Sequence, residues 1–240
     1  MAKRGLALGL ALAIAASGRL SAAEPGALEV FGDQLALAID APASVQQAQG
    51  FFGGGTISGL YPTYSFDHML LVTPPGNAVV GRQLERPLAE RPLLGWDWRR
   101  LPPDSGPVET LTDDAPMRLI IGFSGGRSVA PLPSVDQPEH RARALPPYDR
   151  ALVVTWSNHA WDSGVVDRRG QFARFIAHGG PADGSWWRQS VDLAELHQRV
   201  WPQIDPAEVR VAWVAVGLRK TDGRSLGEIA GLTLKPAHGP

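Results

Sequence analysis

The chain contains no cysteine among its 240 residues. That excludes a disulfide framework and any thiolate-ligated metal, so packing alone must hold the fold. Long apolar runs are scarce as well. The longest, Gly5 to Ala16, is about a dozen residues, short of the roughly 20 that cross a bilayer as a helix. An excess of positive charge is also missing: the 23 basic residues, less Lys3, Arg4 and Arg19 in the leader described below, stand against 24 acidic ones, a net charge of −4. Nucleic acid and anionic membrane surfaces are poor partners for such a chain. The histidines at 68, 140, 159, 178, 197 and 238 lack metal-ligand spacing, so no metal and no cofactor is expected. Helical periodicity is confined to one segment. What the chain has in quantity is glycine, proline and tryptophan: 27, 21 and 8 residues, against only 3 tyrosines.

The first 23 residues have the form of a leader. Lys3 and Arg4 precede the apolar run, and Ser21, Ala22 and Ala23 provide the small residues at which a signal peptidase cuts. Export with cleavage after Ala23 is expected, to the periplasm or the medium, with no membrane span afterwards. Residues 24–240 then form a single domain.

Within it the clearest feature is the stretch from Pro92 to Phe123. Leu94, Trp96 and Trp98 alternate with Asp97 and Arg99, the period-two pattern of a half-buried strand. Met117 to Phe123 is apolar on both faces and belongs inside a sheet. Ala151 to Trp156, Gln171 to His178, Val209 to Leu218 and Gly231 to Leu234 read as further strands. Met69 to Thr73 and Ala78 to Leu84 flank Pro74-Pro75-Gly76-Asn77, which predicts an antiparallel hairpin. Residues 24–63 are the hardest to read, with strand character at Leu28 to Phe31 and Gln34 to Ile39. Ser124 to Tyr148 reads as a long surface loop. The one helix is expected over Asp192 to Trp201, with Asp192 and Glu195 in capping-box positions and Pro202 at its end. Many short strands with one helix predict an all-β, two-sheet sandwich, since a parallel α/β sheet needs a helix between successive strands.

The order of Trp96-Asp97-Trp98, the pair Asp113-Asp114 followed by Ala115-Pro116-Met117-Arg118, then Thr155-Trp156-Ser157-Asn158 and Trp186-Trp187-Arg188, resembles the exported bacterial family called domain of unknown function (DUF) 3047. The resemblance covers residues 65–235. It implies a jelly-roll β-sandwich similar to galactose-binding and carbohydrate-binding modules, and carries over no catalytic residues. Near Leu218 the family pattern has aspartates and an asparagine, oxygen ligands suited to a hard cation. Arg219 and Lys220 stand there in this chain, against a bound calcium.

Gly122-Phe123-Ser124-Gly125-Gly126 matches the G-x-S-x-G spacing of a nucleophile elbow, but the segment after Ser124 is rich in glycine and proline and cannot supply the elbow's helix. Ser124 is therefore not expected to be a nucleophile. Trp96, Trp156 and Trp213 lie within apolar strands and are expected in the core. Trp98, Trp161, Trp186 and Trp187 lie beside Arg100, Asn158, Asp162 and Arg188, and aromatic faces beside amides and charged groups are what sugar rings require. The expected ligand-binding set is Trp98, Asp113, Asp114, Arg118, Asn158, Trp161, Trp186, Trp187 and Arg188, in a non-catalytic module for a glycan or similar polar ligand. One alternative is a hydrolase of cell-envelope polysaccharide using Asp113 or Asp114 with Asp97. Another is a protein-binding envelope module.

Overall fold

The computed structural model describes residues 26–31, 48, 50–54, 60–62, 68–72, 78–100, 117–126, 145–218 and 226–237. Their strands are β1 (Leu28–Glu29), β2 (Phe51–Gly54), β3 (Leu60–Pro62), β4 (His68–Val72), β5 (Ala78–Pro87), β6 (Leu93–Arg100) and β7 (Met117–Gly125). After these come β8 (Arg150–Ser157), β9 (Val166–Arg169), β10 (Phe172–Gly179), β11 (Trp187–Asp192), helix α1 (Leu193–Val200), β12 (Val209–Leu218) and β13 (Leu226–Lys235). They build two sheets. One runs β11-β6-β13-β4-β3 with β1 also on β13, and the other β2-β5-β12-β7-β8-β10-β9. This is the expected all-β, jelly-roll-like sandwich, with α1 the one helix among the elements just named.

The core lies where the sheets face each other. From the first sheet come Leu94, Trp96, Trp98, Ile229, Leu232 and Leu234. The second sends in Leu119, Ile121, Phe123, Leu152, Val154 and Trp156. The residues from β6, β7 and β8 follow the period-two alternation that puts every second side chain on one face, while β13 changes phase between Ile229 and Leu232 at an irregularity in its register between Ala230 and Thr233. The second sheet is also covered on its far side, where Val79, Ile120, Ala212, Trp213 and Ala215 are buried under Phe52, Leu145 and Tyr148. Strand β12 serves both faces through an irregularity in its register between Val211 and Trp213. An inserted residue shifts the alternation by one. Val209 and Val211 therefore point to the main core before Ala212, and Val214 and Val216 after it, while Trp213 turns to the far side.

Three expectations need correction. The strands on either side of Pro74-Pro75-Gly76-Asn77 both exist but do not pair: β4 joins β13 in one sheet and β5 joins β12 in the other. Turn chemistry indicates where the chain changes direction, not whether it returns along the same sheet. Strands β9 and β11 were not expected. Trp98, expected at a strand end beside ligand, is fully buried between Trp96 and Trp156, with ring centroids 5.2 and 5.6 Å away. It keeps the phase of Leu94 and Trp96, and that phase leads inward. Gln34 to Ile39, most of the segment from Ser124 to Tyr148, and the turn at Arg219 and Lys220 lie outside the described residues.

Helix α1 follows β11 directly. Asp192 caps it, its carboxylate accepting from the backbone N–H groups of Ala194 and Glu195 at 2.9 Å. Leu193, Leu196, His197 and Val200 form its buried face. No helix among the described residues is long and apolar enough to cross a membrane.

Candidate functional site

One end of the sandwich gathers the ends of β6, β8 and β10 and the start of β11. Strands β8 and β10 are parallel and finish together, Ser157 beside Gly179. Strand β11 starts alongside the end of β6, with Trp187 opposite Trp98 and Gln189 opposite Trp96. Residues directly opposed in a ladder share a face, so Trp187 and Gln189 join the inner face of the sandwich at its open edge. Among the described residues strand β11 has a neighbour on one side only, and Trp187 is 40% exposed there.

The Trp187 ring meets His178 from the other sheet at 4.3 Å between centroids, and His178 in turn stands edge-on to Trp156 at 4.4 Å. Gln189 Nε2 lies 3.5 Å from His178 Nδ1. Burial holds the His178 imidazole below its ordinary pKa, against a smaller opposing pull from Asp183. Trp156 is anchored through Nε1, which donates to the carbonyl of Gly180 at 2.8 Å. Arg100 completes this wall. It is 3% exposed, its Nη1 donates to Asn158 Oδ1 at 2.8 Å, and its guanidinium carbon lies 5.8 Å from the centre of the Trp156 ring. Among the described residues its Nε has no hydrogen-bond partner. Burial lowers the Arg100 pKa to about 10.

A second exposed aromatic sits close by. The 3-10 turn Ala160–Asp162 rides over the end of β10 so closely that a Cβ on Gly179 would stand 2.2 Å from the His159 carbonyl oxygen. Trp161 projects from that turn, 78% exposed, stacked on His159 at 4.7 Å. Asp162 is held by the hydroxyl of Ser157.

The expected residues are divided by this geometry. Asn158, Trp161 and Trp187 come together at this end, with Trp98 as the buried floor. Trp186, 38% exposed, has the Arg99 guanidinium 5.0 Å from its ring centre, and Arg99 is ion-paired to Glu228 at 2.6 Å. Arg188 pairs with Asp97 at 3.0 Å on the outer face of the same sheet. Arg118 alternates with Leu119 on β7 and lies on the far side of the second sheet, opposite to Trp156. It does not belong to this end's inner face. Asp113 and Asp114 lie outside the described residues. Three residues not in the expected set, Arg100, His178 and Gln189, supply the polar contacts. For Arg100 the signal was present, since it continues the Leu94, Trp96, Trp98 phase. Nothing in the sequence brings His178 to Trp187, because the contact crosses between sheets.

Ser124 sits within the ladder of β7, paired with Arg210 of β12. The glycines that imitate an elbow have structural reasons. A Cβ on Gly122 would lie 2.2 Å from the Trp213 ring, and Gly125 and Gly126 both have positive φ, at 83° and 71°. Among the described residues, no three histidine, aspartate or glutamate side chains group as metal ligands.

No family model and no curated protein matches the chain. Among solved structures, a β-1,2-glucanase from Parabacteroides distasonis is similar at 14% identity and a TM-score of 0.36, over 75% of this chain and 21% of the glucanase. The chain thus spans about a fifth of that enzyme's length. The xyloglucanase domain of NopAA, a type three effector from Sinorhizobium fredii solved with cellobiose, is similar at 10% identity and a TM-score of 0.35, over 73% of this chain and 85% of that domain. An ENZbleach xylanase mutant is similar at 10% identity and a TM-score of 0.31, over 79% of this chain and 91% of the xylanase.

Proposed function

We propose that this chain is an exported, non-catalytic β-sandwich module of the DUF 3047 kind that binds a glycan at the β6–β11 end, with Trp187 as the stacking platform. The observation that carries this reading is the half-exposed Trp187 ring at an open sheet edge, beside the hydrogen-bonding side chains of His178 and Gln189. A soluble domain gains nothing in stability by leaving an indole face in water. A sugar ring covers such a face with its C–H groups while amide and imidazole groups take its hydroxyls. Trp161, on the neighbouring turn, extends the platform. Asp97, the carboxylate assigned to the hydrolase alternative, is neutralised by Arg188 on the opposite face of the sheet.

Trp186 and Trp187 provide the test, since adjacent residues take opposite faces at the start of a strand. Trp187→Ala should weaken retention on insoluble or gel-embedded polysaccharides by about 1 to 3 kcal/mol. Trp186→Ala, on the Arg99 side, should leave retention within about 0.5 kcal/mol of the parent chain. Affinity electrophoresis through a panel of polysaccharides reads both. Failure of the parent chain to bind any of them, or equal retention by Trp187→Ala, overturns the proposal.

A further inference from the structure

We infer that the glycan bound at this end is acidic, and that Arg100 receives the carboxylate of a uronic acid residue. The inference rests on the glycan reading above and adds the ligand's charge. Three arginines surround the tryptophans, and two are neutralised: Arg99 by Glu228 at 2.6 Å and Arg188 by Asp97 at 3.0 Å. Arg100 differs. Among the described residues it has no ion-pair partner, although it is the most deeply buried of the three. Among the described residues its guanidinium has one neutral amide, Asn158, and the face of Trp156 as polar and ring contacts, and its Nε is left without a bond.

A guanidinium out of water is stabilised poorly by an amide and a ring alone, and buried charges are ordinarily paired. The lowered pKa of Arg100 has the same origin, burial without a compensating carboxylate. Its donors form a planar fork whose natural counterpart is a carboxylate held by two parallel hydrogen bonds. The group lies on the same wall as the platform, since Trp156 contacts both Arg100 and His178, and His178 contacts Trp187. A sugar stacked on Trp187 can therefore direct a C5 carboxylate along the wall toward Arg100, whereas a neutral hexose offers a hydroxymethyl group that leaves the charge unmet.

The experiment compares one polyuronate with the same polymer after its carboxyl groups are reduced to hydroxymethyl groups, using the purified parent chain and calorimetry. The expected result is at least about a tenfold preference for the acidic polymer, as a charge-assisted pair is worth. Arg100→Met should remove the preference between the two polymers, and Arg100→Lys should keep part of it. Equal binding of both polymers by the parent chain overturns this inference but leaves the glycan reading standing. Binding of neither polymer, nor of any neutral one, overturns both. Preference for the acidic polymer that survives in a folded Arg100→Met variant overturns the role of Arg100.

Discussion

Trp213 lies flat against Gly122, 2.2 Å from where a Cβ would stand, and holds itself there with an Nε1 hydrogen bond to the Pro146 carbonyl at 3.2 Å. Gly122→Ala should destabilise the fold by about 3 kcal/mol, because a ring wedged between Phe52 and Tyr148 has no room to retreat. Urea unfolding checks this, and a loss below about 1 kcal/mol would show that the ring yields. His197 is a second sensitive residue. It is 1% exposed among Phe123 and Trp201, neither ring nitrogen has a partner among the described residues, and burial together with the Arg150 charge lowers its pKa to about 4. Below the ordinary value of 6.5 the unfolded chain takes up a proton that the folded one refuses. Stability should therefore fall as pH drops from 6.5 toward 4, by up to about 3 kcal/mol from this group. In His197→Leu the slope over that window should flatten by the same amount, and parallel slopes in the two proteins would disprove the assignment. At this scale the sequence was legible wherever alternation ran unbroken, as from Leu94 to Arg100. It was not legible where a residue's role depends on a partner from another sheet, as with Gly122 under Trp213 or His178 against Trp187.

Helix α1 and β11 share Asp192, which ends the strand and caps the helix. Its replacement by alanine orphans the N–H groups of Ala194 and Glu195 and should lower stability by about 1 kcal/mol, read as a shift in the denaturation midpoint. Asn at the same place should restore most of it. This cap was plain in the sequence because capping is local: acceptor and donors lie within three residues. Strand β11 was not, because its first residues, Trp187 and Arg188, are both exposed and show no alternation. The same reason hid β9, where Arg168 and Arg169 are both exposed. An edge strand has less need of a buried face and so carries a weaker pattern. The hairpin expected at Pro74 to Asn77 failed for a different cause, since pairing partners in a sandwich are chosen by the whole sheet and not by the turn.

Across the whole molecule, pairing joins residues far apart in the chain. Leu28 meets Leu234, and Trp98 meets both Ile229 and Trp187. Such contacts close long loops before they return any stabilisation, so folding should take milliseconds to seconds, and a microsecond phase carrying the full tryptophan signal in stopped-flow and temperature-jump records would contradict the topology. The fold class was readable because it depends on how many strands and turns there are, while the order of strands depends on these distant encounters. One of them sets how the domain would meet a mechanical load. Strands β1 and β13 are antiparallel, with Leu28 against Leu234, and the Val30 N–H donates to the Leu232 carbonyl at 2.9 Å. Tension applied ahead of Leu28 and beyond Lys235 pulls on the same end of this pair, so its bonds are loaded in succession, not in parallel. Peeling would first detach β1 and then draw Val30 and Phe31 out of the core, while β6 still separates β11 and Trp187 from the strand under load. A ligand held there would be the last to feel the pull.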